Sequence, residues 1–196
     1  MLTAAVKQRY TPEEYLALER KAEYKSEFVN GRIFAMSGAS RKHNLIAGNI
    51  FRELSLQFKN RPCEVYMSEM RVKVSPTGMY TYPDVVAVCG DISLEDIHND
   101  TLINPTVIVE VLSESTEAYN RGEKFAHYRS LESLQEYILV AQDKVRVERF
   151  VRQGKLWVLY EASTISDIVH LTSIDCSLPL KDVYERVYAA DNDDVI

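Results

Sequence analysis

Two acidic residues set in otherwise apolar, β-like runs are the first candidates for chemistry in this chain. Tyr82-Pro83-Asp84-Val85-Val86-Ala87-Val88 reads as a buried strand with one carboxylate at its entrance, and Thr106-Val107-Ile108-Val109-Glu110-Val111-Leu112-Ser113 as a second with Glu110 in its middle. Runs this apolar belong inside a sheet, where a charge is costly unless it is paired or metal-bound. Two carboxylates on neighbouring strands could hold a divalent cation between them. The segment at 117–130 then offers Lys124 from a helix. Taken singly, Asp84 reads as a turn residue, Glu110 as a satisfied core acid and Lys124 as a surface lysine snorkelling beside Phe125 and Tyr128. Taken together they make a candidate site.

The elements that must position these residues can be read in order. Thr11-Pro12-Glu13-Glu14 starts a helix, with Thr11 as cap, Pro12 at the first helical position and Glu14 completing a capping box. Tyr15, Leu16 and Leu18 give that helix an apolar side to lay on a sheet. Residues 25–37 form a predicted hairpin around Asn30-Gly31, a pair that tolerates the positive φ of a tight turn. Alternation there sends Glu27 and Phe28 to opposite faces, with Glu27 expected on the exposed one. Ser40 caps a predicted helix over 41–59, where Ile46, Ile50, Leu54 and Phe58 recur every four residues as a buried stripe. His43, in its first turn, reads as a capping-region histidine before a ligand.

Strands follow at 63–67 and 70–74, with a turn at Pro76-Thr77-Gly78. The acidic stretch 91–104, between the strands of Asp84 and Glu110, is expected to be an exposed loop. Ser115-Thr116-Glu117 begins the next helix, on which Arg121, Lys124, Phe125 and Tyr128 are spaced to share one face. A core strand at 135–141 precedes a hairpin of 145–151 and 155–160, which carries the only tryptophan, Trp157. A short strand at 168–171, a short helix at 180–187 and a fraying acidic end complete the chain. With no repeat or linker, the expectation is one α+β domain over 1–196, its core about 10–188.

Composition narrows the function classes. The chain has 196 residues, 46% of them hydrophobic and 27% charged, enough for one full hydrophobic core. A formal net charge of −6 argues against non-specific nucleic-acid binding over the whole surface, though not against a local basic groove. No apolar run approaches a membrane span, and the N-terminus has no secretion-signal pattern. Cys63, Cys89 and Cys176 fit neither a disulfide framework nor a zinc pattern, so buried thiols and a cytoplasmic location are expected.

The order of helix, strands, Asp on one strand, Glu on the next and a helix with lysine resembles the PD-(D/E)XK nuclease superfamily. Pro83-Asp84 matches the first half of its motif and Glu110 the second acid; the place two residues on, where a lysine belongs, holds Leu112. The wider pattern is similar to the Uma family of restriction-endonuclease-like proteins. It is carried by Lys25-Ser26-Glu27-Phe28-Val29-Asn30-Gly31, His43-Asn44-Leu45-Ile46, Arg71-Val72-Lys73-Val74, Tyr82-Pro83-Asp84-Val85-Val86, Glu110 through Thr116, Arg121-Gly122-Glu123-Lys124-Phe125 and Leu134-Gln135-Glu136-Tyr137.

The resemblance implies a central mixed β-sheet flanked by helices, with an N-terminal helix and hairpin and a C-terminal hairpin. It also implies a site whose lysine has migrated to the following helix. Asp84 and Glu110 would be the metal ligands, with the Val111 carbonyl a third, Glu27 the upstream acid and Lys124 the migrated lysine. His43, Arg71, Tyr82, Arg121 and Tyr128 are candidates for substrate contact or positioning. The implied activity is Mg²⁺-dependent hydrolysis of DNA, with Mn²⁺ as a substitute, by a homodimer. The other readings are a binding or interaction module that keeps the fold without turnover, and a metal hydrolase acting on a small phosphoester. Asn120 stands where family members often carry aspartate.

Overall fold

In a computed structural model that describes residues 9–188, the chain opens on the capping box. Thr11 accepts from the Glu14 backbone N–H while the Glu14 carboxylate accepts from that of Thr11, which fixes the start of α1 (Pro12–Glu19). Tyr15 and Leu16 are buried against Phe28 and Tyr80 in a small cluster of their own. Leu18, expected beside them, is instead 52% exposed. The hairpin of β1 (Ser26–Val29) and β2 (Arg32–Ala35) pairs Val29 with Arg32 across Asn30 and Gly31, both at positive φ.

Helix α2 (Arg41–Gln57) starts where Ser40 accepts from the His43 backbone N–H and buries Ile46, Ile50 and Leu54 along its stripe. The strands that follow are β3 (Cys63–Met67), β4 (Arg71–Val74), β5 (Met79–Thr81), β6 (Val85–Cys89), β7 (Thr101–Leu102) and β8 (Val107–Leu112). After α3 (Glu117–Tyr119), a π-helical turn over Asn120–Lys124 and α4 (Phe125–Tyr128) come β9 (Glu136–Ala141), β10 (Val147–Gln153) and β11 (Leu156–Ala162). The last elements are β12 (Ile168–Leu171), β13 (Cys176–Pro179) and α5 (Leu180–Val183). The expected acidic end at 191–194 lies outside the described residues, as does most of the expected N-terminal stretch.

Six strands form one sheet in the order β11-β10-β9-β8-β6-β3 and five form another in the order β2-β1-β5-β4-β7, with β12 and β13 as a separate pair. Only β8–β9 and β4–β7 run parallel among these pairings. The larger sheet is covered on both faces. Val107, Val109 and Val111 of β8 pack towards Ile46, Ile50 and Leu54 of α2 and the C-terminal elements. Ile108 and Leu112 pack the other way, with Val72, Phe125 and Tyr128. Period-2 alternation therefore puts Glu110 on the face turned to α4. No helix among the described residues is long and apolar enough to cross a membrane.

Two expectations are corrected here. Cys63 and Cys89 are not thiols but a disulfide, because the antiparallel β3–β6 register sets them directly opposite each other; Cys176 is the free, buried one. The acidic loop is not wholly exposed, since β7 inside it is buried and pairs parallel to β4. Leu102 anchors the segment in the core, and its acids find cations: Asp96 and Asp100 meet Arg20, Asp100 also meets Arg71, and Glu95 meets Lys73.

The Arg20 guanidinium, with Thr101 and Arg71, holds the Asp100 carboxyl well below its usual 3.8. A depressed carboxyl contributes stability above its unfolded value and loses it as pH falls through the folded one. Asp100→Asn should therefore cost about 1 kcal/mol at pH 7, with the deficit closing below about pH 4. Urea midpoints of both proteins at pH 7, 5 and 3 check this.

Candidate active site

Lys124 is buried, and its Nζ lies 2.9 Å from Glu27 Oε1 and 2.9 Å from Glu110 Oε1. Three elements distant in sequence thus converge: β1 brings Glu27, β8 brings Glu110 and the π turn brings Lys124. Glu27 is not the exposed member of its strand, since every residue of β1 is buried. Phe28 does point to the opposite face, but the α1 cluster covers that one too. A π-helical turn bonds i to i+5 and so alters which residues share a face. Tyr119 and Lys124, five apart, both reach Glu27, with Tyr119 Oη 3.4 Å from Oε2.

Asp84 sits just before β6, where the antiparallel ladder to β8 ends at Val85–Val109. Its Oδ2 replaces the missing strand by accepting the Val111 N–H at 2.7 Å, and the same oxygen is 3.1 Å from His43 Nε2. The Val111 carbonyl belongs to that same strand edge, since a β residue directs its N–H and C=O to one side. His43 does two jobs: its backbone receives the Ser40 cap and its ring meets Asp84. Tyr128 Oη donates to Glu110 Oε1 at 2.9 Å, so it positions the acid that Lys124 also holds.

The remaining candidates lie elsewhere. Arg71 is 2% exposed and bonded to Tyr82 Oη, Thr101 Oγ1 and Asp100, while Tyr82 in turn donates to Glu19. Both are engaged inside the protein and brace α1, β4 and β7. Arg121 does not share the Lys124 face but pairs with Glu117 and Glu148, because the π turn rotates it away. Sequence reasoning missed Thr81, whose hydroxyl donates to Glu27 Oε1, and Gln142, which accepts from Ser40 and donates to the Leu112 carbonyl. Thr81 lies three residues before Asp84 in an alternating run, a weak signal. Gln142 had none, since its role depends on where β9 ends.

Electrostatically the site is acid-rich. Burial pushes the Glu110 carboxyl up to about 7 against the pull of Lys124, with Asp84 and Glu27 adding to the push. Burial opposes the Lys124 charge, but Glu110 and Glu27 outweigh it and raise the amine above its usual value. Burial likewise opposes the charged His43 ring, and Asp84 overcomes it. Three carboxylates face one ammonium and one imidazole, a balance that favours a cation. None of the bonds just described engages Asp84 Oδ1 or Glu110 Oε2, which leaves one oxygen on each acid for a metal. Among the described residues no group of three or more His, Cys, Asp or Glu is arranged around a metal position.

The fold and the converging acids and lysine define a restriction-endonuclease-like protein. Residues 12–180 match the Uma2 family model, described as "Putative restriction endonuclease", and the chain belongs to that family. Two relatives from Synechocystis support this. The uncharacterized protein sll1609 is 36% identical over 162 residues, which cover 82% of this chain and 92% of the relative. The uncharacterized protein slr1290 is 34% identical over 179 residues, covering 90% and 92%. A crystal structure from Anabaena variabilis, described as a putative nuclease belonging to DUF820, superposes with a TM-score of 0.75 at 22% identity. It covers 90% of this chain and 98% of its own, a likeness of fold.

Lys124→Met should destabilise the protein by about 3–5 kcal/mol, because it leaves Glu27 and Glu110 buried and unpaired. Adding Glu27→Gln should recover part of that loss by removing one orphaned charge. Urea unfolding of wild type, single and double variants at neutral pH measures both. Equal stability of wild type and Lys124→Met would contradict the ion-pair geometry.

Proposed function

We propose that the protein is a Mg²⁺-dependent endonuclease that hydrolyses phosphodiester bonds of DNA, with Mn²⁺ able to replace Mg²⁺. The observation that carries the reading is the meeting of Lys124 with Glu27 and Glu110 at 2.9 Å, beside Asp84 at the start of the neighbouring strand. Family membership favours DNA as the substrate. Asp84, Glu110 and the Val111 carbonyl would hold the ion. When bound, it would draw charge from a phosphate oxygen and acidify a water.

The rest falls to the protein's own side chains. Lys124 supplies fixed positive charge where the phosphorane develops negative charge, at a buried position where that charge acts strongly. Glu27 holds the amine from the side opposite Glu110 and, with Thr81 and Tyr119 on its oxygens, keeps it from swinging away. Tyr128 fixes the Glu110 carboxylate. His43 and the Val111 N–H fix Asp84 through Oδ2. Two copies acting together would address the two strands of a duplex.

Incubation with supercoiled plasmid and with single-stranded DNA in Mg²⁺ and Mn²⁺ tests the proposal. Wild type should nick or linearise the plasmid. Asp84→Asn should lower the rate by at least about a hundredfold, as loss of a group that holds the catalytic ion does, while retaining its circular dichroism spectrum. Equal cutting by Asp84→Asn would remove the assignment. Calorimetric titration with Mn²⁺ should give heat with wild type and little with the variant. Metal binding without any cleavage would favour the non-catalytic module.

A further inference from the structure

The larger sheet ends in β11, a seven-residue edge strand with no further strand paired to its outer side among the described residues. Leu156 is 70% exposed, Leu159 50% and Tyr160 48%, and the strand contains no proline or lysine and one carboxylate, Glu161. Long apolar edges of this kind template pairing with another strand unless something blocks them. The opposite edge, β3, is shorter.

Which backbone groups face outward follows from the register. Arg152 donates its N–H towards β9, at Gln135, so the even residues of β10 face β9 and the odd ones face β11. Gln153, Val151 and Arg149 pair with Leu156, Val158 and Tyr160, so the even residues of β11 are used inward. Trp157, Leu159 and Glu161 therefore present their N–H and C=O groups to the edge.

We propose that β11 is a self-association surface, on which a second copy of this chain adds its own β11 antiparallel about a two-fold axis through Val158. This register alone satisfies three requirements together. The outward groups of Trp157 meet those of the partner's Leu159, an odd-to-odd match that closes hydrogen bonds. On the other face, Leu156 lies opposite the partner's Tyr160, so exposed apolar surface covers exposed apolar surface. Lys155, just before the strand and exposed, falls opposite the partner's Glu161, whose Oε2 is held by Arg146 of its own chain and whose other oxygen is used by none of the contacts named here. Centring one residue later, on Leu159, keeps the hydrogen-bond parity but sets Glu161 opposite Trp157 and loses the ion pair. Charge complementarity thus selects a second copy in one register.

The same register carries a consequence for the candidate active site. Glu110 is level with Leu139, Leu139 with Glu148 and Glu148 with Glu161, so Glu110 lies three residues along and three strands across from the axis residue's strand position. At about 4.8 Å between strands and 3.4 Å per residue, the two sites of the pair lie roughly 40 Å apart.

Sedimentation velocity of the full chain over about 1–100 μM, a range that spans ordinary dimer affinities, tests the interface directly. The expected result is a dimer whose dissociation constant rises about tenfold in Lys155→Glu, where like charges face each other at both ends of the ladder. The double exchange Lys155→Glu with Glu161→Lys should recover most of the lost association, the remainder reflecting the loss of the Arg146–Glu161 pair. Leu159→Asp should give monomer with an unchanged circular dichroism spectrum. A wild type that stays monomeric throughout, a dimer indifferent to these changes, or a double exchange that fails to restore association would overturn the proposal. Mass does not depend on cleavage, so an inactive dimer would leave this interface standing and count against the nuclease reading alone.

Discussion

One buried ammonium organises the middle of this protein. Lys124 has too little contact with water to remain charged unless acids surround it, and Glu27 and Glu110 do so from two different sheets. The arrangement is costly, since burying an ion pair seldom stabilises a fold as well as apolar packing of the same volume would. What it gives is a defined geometry. The hairpin carrying Glu27, the strand carrying Glu110 and the helix carrying Lys124 must meet in one register, because any slip strands a charge in a medium that cannot solvate it.

The surroundings follow from that constraint. Tyr128, Thr81 and Tyr119 supply hydroxyls to the carboxylates, as a buried polar cluster requires if it is to be fully satisfied. A second buried network holds the smaller sheet beneath it. Glu19 accepts from Ser26 and Tyr82, and Arg71 joins Tyr82 to Thr101 and Asp100, so α1, β4 and β7 are tied to the strand that bears Glu27. The two networks meet at neighbouring residues, Ser26 and Glu27 on one strand, Thr81 and Tyr82 on the other. Arg71 and Tyr82 thus serve the site from behind rather than from within.

At the solvent side the logic changes. Asp84 is held by one oxygen only, where a strand has ended and a side chain completes the ladder. The cluster thus combines acids held stiffly in place with one that is partly open to solvent. The ion pair supplies the stiffness and the end of β6 supplies the opening.

Much of this was legible in the chain itself. The capping box at Thr11, the Asn30-Gly31 hairpin, the four-residue stripe from Ile46 and the strands of Asp84 and Glu110 are local, and local propensity and periodicity decide them. Asp84 and Glu110 stood out because charges in apolar runs are visible one residue at a time, whereas Lys124, in the polar run at 120–124, was marked by its place on the following helix and by the family pattern. Other features required the third dimension. Glu27 was buried by a cluster formed with α1, residues 101–102 were drawn into a sheet by Arg71 and Leu102, and Cys63 and Cys89 were joined because β3 and β6 pair in one register. The π turn at Asn120–Lys124 turned Arg121 away from the lysine it should have flanked. Sequence determines what each segment prefers, since those preferences act over a few residues. Which segments become neighbours is decided only when the whole core packs, and a charge or a thiol learns its partner at that point.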